Sequence, residues 1–491
     1  MAGEPASSTF RVEVGGASLP VTRYEDLDCV HFPFTGPAEV VIARLDGQPV
    51  GAHRIRPERL GYRGTVAGAA LSFQLDRPRT LIVNIDKLRK LLLIAEPPAS
   101  GKPQAGTPGV VDLLSLGADP TGVSDNTATI QKAIDALPKG GTLYVPPGRY
   151  LTGSLQLKSD MTLYLDQGAM LKGSADPDLH RMQKSYLYFL RGEDLVNVRI
   201  AGPGIIDANG GAIRKAWEAK LGQRKVPGRA VLFVKVRGLE IRDVTIRDSY
   251  SWNVHIVESD RVVIDNVKVL SNLAHGNGDG LDIDGCVDVK IANCFLYCED
   301  DAISPKASWS NRTPENYRVR DCVLWSQNAT AIRLGDETNA PAFRDMTFEN
   351  IDCLRAQTML RIYNYDGADL HHIVFRNFWL EEYSLDVQDL GYEESPGTNP
   401  ANEGTTSLLH IYVKKRSEKS KLGAVHDVLL ENIHSQSLAK SRLSGTPRED
   451  GTKGIRKVTF KEFWEGERSL RSLEEIRVKL GDDSAEIGVT E

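Results

Sequence analysis

The chain has 491 residues, 41% of them apolar and 26% charged, a balance that supports a large buried core and excludes a disordered polymer. A net charge of -6 is small for that length and no basic block stands out, which argues against nucleic acid as a partner. No run approaches the ~20 apolar residues that span a bilayer, and the opening MAGEPASSTFRVEV lacks the basic and apolar regions of a signal peptide, so no membrane partner is expected. Location stays open, because a chain beginning after a removed leader reads the same way.

Up to residue 97 the chain reads as short strands separated by Gly, Pro and Asp: FRVEV, EVVIARLDG, TVAGAALSFQL, RTLIVNI and KLLLIAEP. Alternation of this kind predicts a small β-sandwich, expected to bind glycan or to cover an edge of the larger domain after it. PPASGKPQAGTPG, within residues 98–110, reads as a linker. A single short helix is predicted next, capped by Ser124 or Asp125, with Ile130, Ala133, Ile134 and Leu137 on one face and Gly140-Gly141 past its end.

From there to residue 491 the chain repeats. GLEIRDVTIRD, RVVIDNVKVLSN, DVKIANCFLY, NYRVRDCVLWS, FRDMTFENIDC, LHHIVFRNFWL and HDVLLENIHSQ each hold alternating strands and a polar turn residue. Asp243, Asn266, Asn293, Asp321, Asn350 and Asn377 recur roughly every 23 to 29 residues, which signals a solenoid. Without a helix to bridge strands within the repeat, a right-handed parallel β-helix is the fold that satisfies the pattern, its polar row pairing with freed backbone groups. The polar segment DVQDLGYEESPGTNPANEGTTS interrupts two periods and is expected to protrude as a loop. Cys29, Cys286, Cys294, Cys298, Cys322 and Cys353 show no CxxC spacing. Three of them, Cys294, Cys322 and Cys353, recur in step with the repeat, as small buried hydrophobes would.

Stacked coils can be aligned on their inward apolar pairs, Val254/Ile256, Leu281/Ile283, Ile303/Pro305, Ile332/Leu334, Leu360/Ile362 and Leu409/Ile411. Strand residues alternate faces, so an outward row runs His255, Asp282, Ser304, Arg333, Arg361 and His410, followed one place on by Lys306 and Tyr363. Two residues before the pairs stand Trp252, Asp279, Asp301, Thr330 and Thr358. Coils lie ~4.8 Å apart, so Asp279 and Asp301 should be neighbours, with Asp300 beside them. Carboxylates so close repel, and at least one should keep its proton, which separates an acid from a base.

The stretch His275 to Lys306, with the entry segments GADPTGVSDNTATIQKAID and TLYVPPGRYLTGSLQLKS, resembles the polygalacturonase-like glycoside hydrolases of family 28. Asn277-Gly278-Asp279-Gly280 is similar to their Asn-Thr-Asp-Gly, and Glu299-Asp300-Asp301 to their Gly-Asp-Asp. The resemblance implies a right-handed parallel β-helix and hydrolysis with inversion, Asp300 as general acid and Asp279 and Asp301 activating the water. The acid and base are then expected to be far enough apart to admit that water. Two positions depart from the family pattern. Ala329-Thr330-Ala331 stands where the family has Gly-His-Gly, and Arg361-Ile362-Tyr363 where it has Arg-Ile-Lys, the Arg and Lys that hold a galacturonate carboxylate.

Substrate contacts are therefore expected from Asn277, Asp282, Lys306, Arg333, Arg361 and Tyr363. Arg333 with Lys306 would supply a different anion clamp, or Arg333 would pair with Asp282 at the surface. Trp252, Trp309, Tyr363 and Tyr365 would stack on sugar rings, and His275 would stand in for the missing histidine. The implied partner is a polysaccharide or oligosaccharide, α-linked and of the pectin type. No metal or cofactor is expected, and no oligomer is specified. Two other readings stay open: a polysaccharide lyase that uses the carboxylates to hold calcium, and a carbohydrate-binding β-helix without turnover.

Overall fold

The computed structural model describes residues 4–98, 101–104, 106–183, 186–222, 227–384 and 406–490. Two five-stranded sheets face each other between Phe10 and Glu96, and the next strand begins at Val110. Lys90–Glu96 explains why KLLLIAE is apolar without alternation. Leu91, Leu93 and Ala95 enter the core between the two sheets, whereas Leu92 and Ile94 turn the other way and pack with Leu270, Tyr297, Trp325 and Leu354 of the second domain.

The remainder is a right-handed parallel β-helix. Each central coil contributes strands to a 21-stranded sheet and one strand to a second, 12-stranded sheet. In that second sheet Val254 pairs with Leu281, Leu281 with Ile303, Ile303 with Ile332, Ile332 with Leu360 and Leu360 with Leu409, the register expected from the apolar pairs. All of these point into one core that runs the length of the solenoid. The six cysteines are free and buried, five of them in that core, the recurring Cys294, Cys322 and Cys353 included. The predicted helix is Thr127–Ala136, and its buried Ile130, Ala133 and Ile134 join the first coils of the core, so it caps the open end. Asp125 accepts from the Thr127 amide at 3.1 Å, while the N-cap position is taken by Asn126. A second helix, Gly210–Leu221, was not expected. No helix among the described residues is long and apolar enough to cross a membrane.

The polar row has a different job from the one expected of it. Asp243, Asn266, Asn293, Asp321, Asn350, Asn377 and Asn432 all have φ between 55° and 65°, where the chain bends from one strand to the next. Asn and Asp tolerate this left-handed conformation better than other side-chain-bearing residues. Their side chains bond to one another across coils more than to backbone: Asn266 to Asp243 at 2.9 Å, Asn377 to Asn350 at 3.0 Å and Asn432 to Asn377 at 2.7 Å. Asn293 slips by one place and donates to Asp265 at 2.7 Å. We expect Asn350→Ala to lose two such bonds as well as the tolerated backbone, a cost of ~2–3 kcal/mol in urea unfolding, with Asn350→Gly recovering ~1 kcal/mol of it.

The sandwich covers a flank of the middle coils, which corrects the expectation that it would shield an edge. Arg56, 1% exposed, donates to Glu381 at 2.5 Å and also reaches the Leu354 carbonyl, while Arg54 donates to Glu382 at 3.0 Å and Arg59 to Asp352 at 2.9 Å. The segment 386–407, expected as a loop, lies outside the described residues apart from Thr406 and Ser407.

Candidate active site

Asp279 stands two residues before the strand Leu281–Asp284, and Asp301 two residues before Ile303–Lys306 on the next coil. The Gly280 amide donates to the Asp301 carbonyl at 2.8 Å, and Leu281 to Ala302 at 3.0 Å. Gly280 is required for this approach, because a Cβ there would come within 2.4 Å of the Ala302 oxygen. As a result Asp279, Asp300 and Asp301 each place a carboxylate oxygen within 4.8 Å of the other two. Asp301 is 0% and Asp279 3% exposed, while Asp300 is half-buried and is the member open to solvent.

The surroundings give the three carboxyls different protonation. Burial alone would raise Asp301, but Arg333 at 2.6 Å, aided by Arg361, holds it below the usual carboxylate range, and the Thr330 amide donates to it at 3.0 Å. Burial first, and then the Asp301 charge, pushes Asp300 up to about 6, against the Asp301 amide that donates to it at 2.9 Å. Burial, Asp282 and Asp300 raise Asp279 well above its ordinary value, with Lys306 opposing at 3.7 Å. Asp301 therefore ionises at lower pH than Asp279 and Asp300, the division that acid–base chemistry needs.

Several expected contacts turn out differently. Arg333 pairs with Asp301 and Asp336, not with Asp282. Lys306 is taken by Asp282 at 2.6 Å, so neither cation is left as a free clamp. Asp282 itself is fully buried, since the strip it occupies forms the floor of the site and not an outer surface. Arg361 remains: 5% exposed, it donates to Thr358 at 3.2 Å, its Nε has no partner, and no carboxylate lies within 4 Å of it among the described residues. Asn277 is exposed and donates to Asp279 at 3.2 Å.

The aromatic expectations also need correcting. Arg229 and Lys306 each lie 3.8 Å from the Trp252 ring centre. Cations thus already occupy the ring face on which a sugar was expected to stack. Tyr363 and Tyr365 are buried, and the Tyr363 hydroxyl bonds the His410 ring at 2.7 Å. Trp309 packs on Tyr186 and His255. His275 turns away from the carboxylates toward Gly211 and the Gly210–Leu221 helix, where burial, Arg214 and Lys215 lower its pKa, so it does not replace the missing histidine. The nearest carboxyl oxygens of the three lie within 4.8 Å of one another, so a water that enters between acid and base meets both.

Glu299 and Arg229 were not anticipated. Glu299 was legible as a carboxyl next to the Asp pair in place of a glycine, whereas Arg229 carries no sequence signal. Asp279, Asp300 and Asp301 have the spacing of metal ligands, but Lys306 and Arg333 already balance their charge, so a cation would have to compete with both. The larger cavities, of about 570 and 580 Å3, lie between the sandwich and the solenoid and contain none of these residues.

The sequence model of "Glycosyl hydrolases family 28" matches residues 138–406, more than half of the chain and all three carboxylates of the site. The chain belongs to this family. It is 28% identical over 278 residues to a probable polygalacturonase of Vitis vinifera, covering 51% of this chain and 56% of the relative. It is 29% identical over 358 residues to an exo-poly-α-D-galacturonosidase of Dickeya chrysanthemi, covering 59% and 58%. The chain thus spans less than two thirds of these relatives' lengths. A family 28 exopolygalacturonase from Yersinia enterocolitica has the same fold, with a TM-score of 0.59, 15% identity and coverage of 98% of this chain and 99% of that one. Within this family 28 chain, Thr330 fills the place of the expected histidine and gives its amide to Asp301, and the neutral Tyr363–His410 pair fills that of the lysine. Burial, with Arg361 and Arg442 nearby, lowers His410 to about 4, so it carries no charge at neutral pH.

Proposed function

We propose that this chain is a glycoside hydrolase that cleaves α-glycosidic bonds in a pectin-type polysaccharide or its oligosaccharides, galacturonate-containing substrates favoured. The observation that carries this reading is the carboxyl trio with divided protonation, one member of which reaches solvent. Asp300 gives its proton to the leaving oxygen. Asp301, ionised beside Arg333, takes a proton from the attacking water, and Asp279, which tends to keep its own proton, orients that water by hydrogen bonding. The names of the Vitis and Dickeya relatives support a galacturonan substrate, and Arg361 is the cation available to meet its carboxylate.

The test is incubation with polygalacturonate and with neutral α-glucans, followed by product sizing. New reducing ends are expected, without ultraviolet-absorbing unsaturated sugars and without loss on adding a chelator; unsaturated products would instead indicate a lyase. Glycan binding with no new reducing ends over long incubation would indicate a binding protein. Family resemblance favours inversion, and retention is the outcome that would overturn it. Proton NMR of the first anomer released decides between them, since inversion of an α-linkage releases the β anomer first. Arg361→Met is expected to raise KM ~10–100-fold on polygalacturonate, the worth of a charge-assisted pair, and to leave hydrolysis of a methyl-esterified substrate nearly unchanged.

A further inference from the structure

Glu299 precedes Asp300 where the resemblance puts a glycine, and no step above uses it. Its side chain is buried at 7% exposure and joins three successive coils beside the carboxyl trio. Its Oε2 accepts the Gly278 amide at 3.2 Å, from the loop that carries Asp279. Its Oε1 accepts the Asn328 side-chain amide at 2.8 Å, from the following coil, and the Asn328 backbone amide donates to the Glu299 carbonyl at 2.9 Å. A Cβ added to Gly278 would stand 3.1 Å from that of Glu299 and 3.4 Å from the Ser271 side chain, so the loop is pressed between these two residues. With a glycine here, the Gly278 amide and the Asn328 side chain would both lose this partner.

We propose that Glu299 is a positioning residue, which holds the loop bearing Asp279 at its working distance from Asp300. This rests on the reading of Asp300 as the acid. From the preceding coil Glu299 meets the Asn277 and Gly278 amides, from its own coil the Asp300 carboxyl, and from the next coil the Asn328 amide. No cation is among these. The charges acting on Asp300 are Asp301, which raises it, and Arg333 and Lys306, which lower it. Burial and then the Asp300 charge push Glu299 itself up to about 7, above Asp300, so Glu299 is neutral wherever Asp300 holds its proton and acts through its hydrogen bonds.

Two variants test the tie. In Glu299→Gln the side-chain oxygen still accepts the Gly278 amide, and Asn328 can turn its own oxygen to the new amide, so the tie survives and kcat on polygalacturonate should stay within ~3-fold of wild type. In Glu299→Gly the tie is lost, and kcat should fall ~10–100-fold through misplacement of Asp279, with KM within ~3-fold of wild type. A wild-type kcat in Glu299→Gly overturns the positioning role, and so does a Glu299→Gln kcat as low as that of Glu299→Gly. Should Glu299→Gly fail to fold, Asn328→Ala, which removes one arm of the tie, takes its place, with kcat expected to fall ~3–10-fold and a wild-type value overturning the role. Asp300→Asn, run in parallel, distinguishes the two failures. Retained hydrolysis there removes the acid assignment itself, whereas abolished hydrolysis with a wild-type kcat in Glu299→Gly removes only Glu299.

Discussion

Asp300→Asn is expected to lower kcat on polygalacturonate by ~10²–10⁴-fold while leaving the melting temperature within a few degrees of wild type. Asparagine keeps the acceptor that Asp300 offers the Asp301 amide at 2.9 Å, so the fold has no reason to change, but it has no proton to give to a leaving oxygen. The pH profile supplies a second check. The acid works protonated, so with Asp300 near 6 wild-type kcat/KM should fall as pH rises through that value. The base works ionised, and Arg333 and Arg361 hold Asp301 below the usual carboxylate range, so the acid limb should lie lower still. Asp300→Asn should lose the basic limb, because the group that titrates there is gone. A folded variant with wild-type turnover would remove Asp300 from the role of acid.

Arg56→Ala should be the most destabilising of the substitutions considered, at ~3–5 kcal/mol in guanidinium unfolding followed by tryptophan fluorescence. Arg56 is almost completely buried between the sandwich and the solenoid, 2.5 Å from Glu381, and lies over the Trp325 ring at 5.2 Å. Truncation strands Glu381, whose burial already raises its pKa, with the Glu58 amide as its other close donor. The cost arises chiefly from the charge left behind. Arg56→Met with Glu381→Leu should therefore recover much of the loss, since an apolar pair of similar volume avoids desolvating two ions. A single variant as stable as wild type would show that the sandwich docks through its apolar contacts, Leu92 and Ile94 against Tyr297 and Trp325.

Local chemistry made much of this legible in advance. Spacing of the Asn and Asp residues reports a backbone bend once per coil, and the apolar pairs report which side chains face inward, so a β-helix and its register could be read from periodicity. The same alignment brought Asp279 to Asp301, because an inter-strand spacing is the same for any stacked coil. KLLLIAE was less legible. A strand apolar on both faces says that two cores meet there, but not which coils supply the second.

Residue order alone thus determined the repeat, the row that carries the carboxyls and the pair Asp300-Asp301, all of which depend on periods of two residues and of one coil. The folded solenoid decided the rest, namely which cation each carboxylate takes, which aromatic faces stay open and which carboxyl keeps its proton. Arg333 goes to Asp301, Lys306 to Asp282, and the Trp252 ring is taken by Arg229 and Lys306. These choices are made by burial and by side-chain reach across neighbouring coils. They depend on distances of a few ångströms between residues tens of positions apart, which no spacing along the chain encodes.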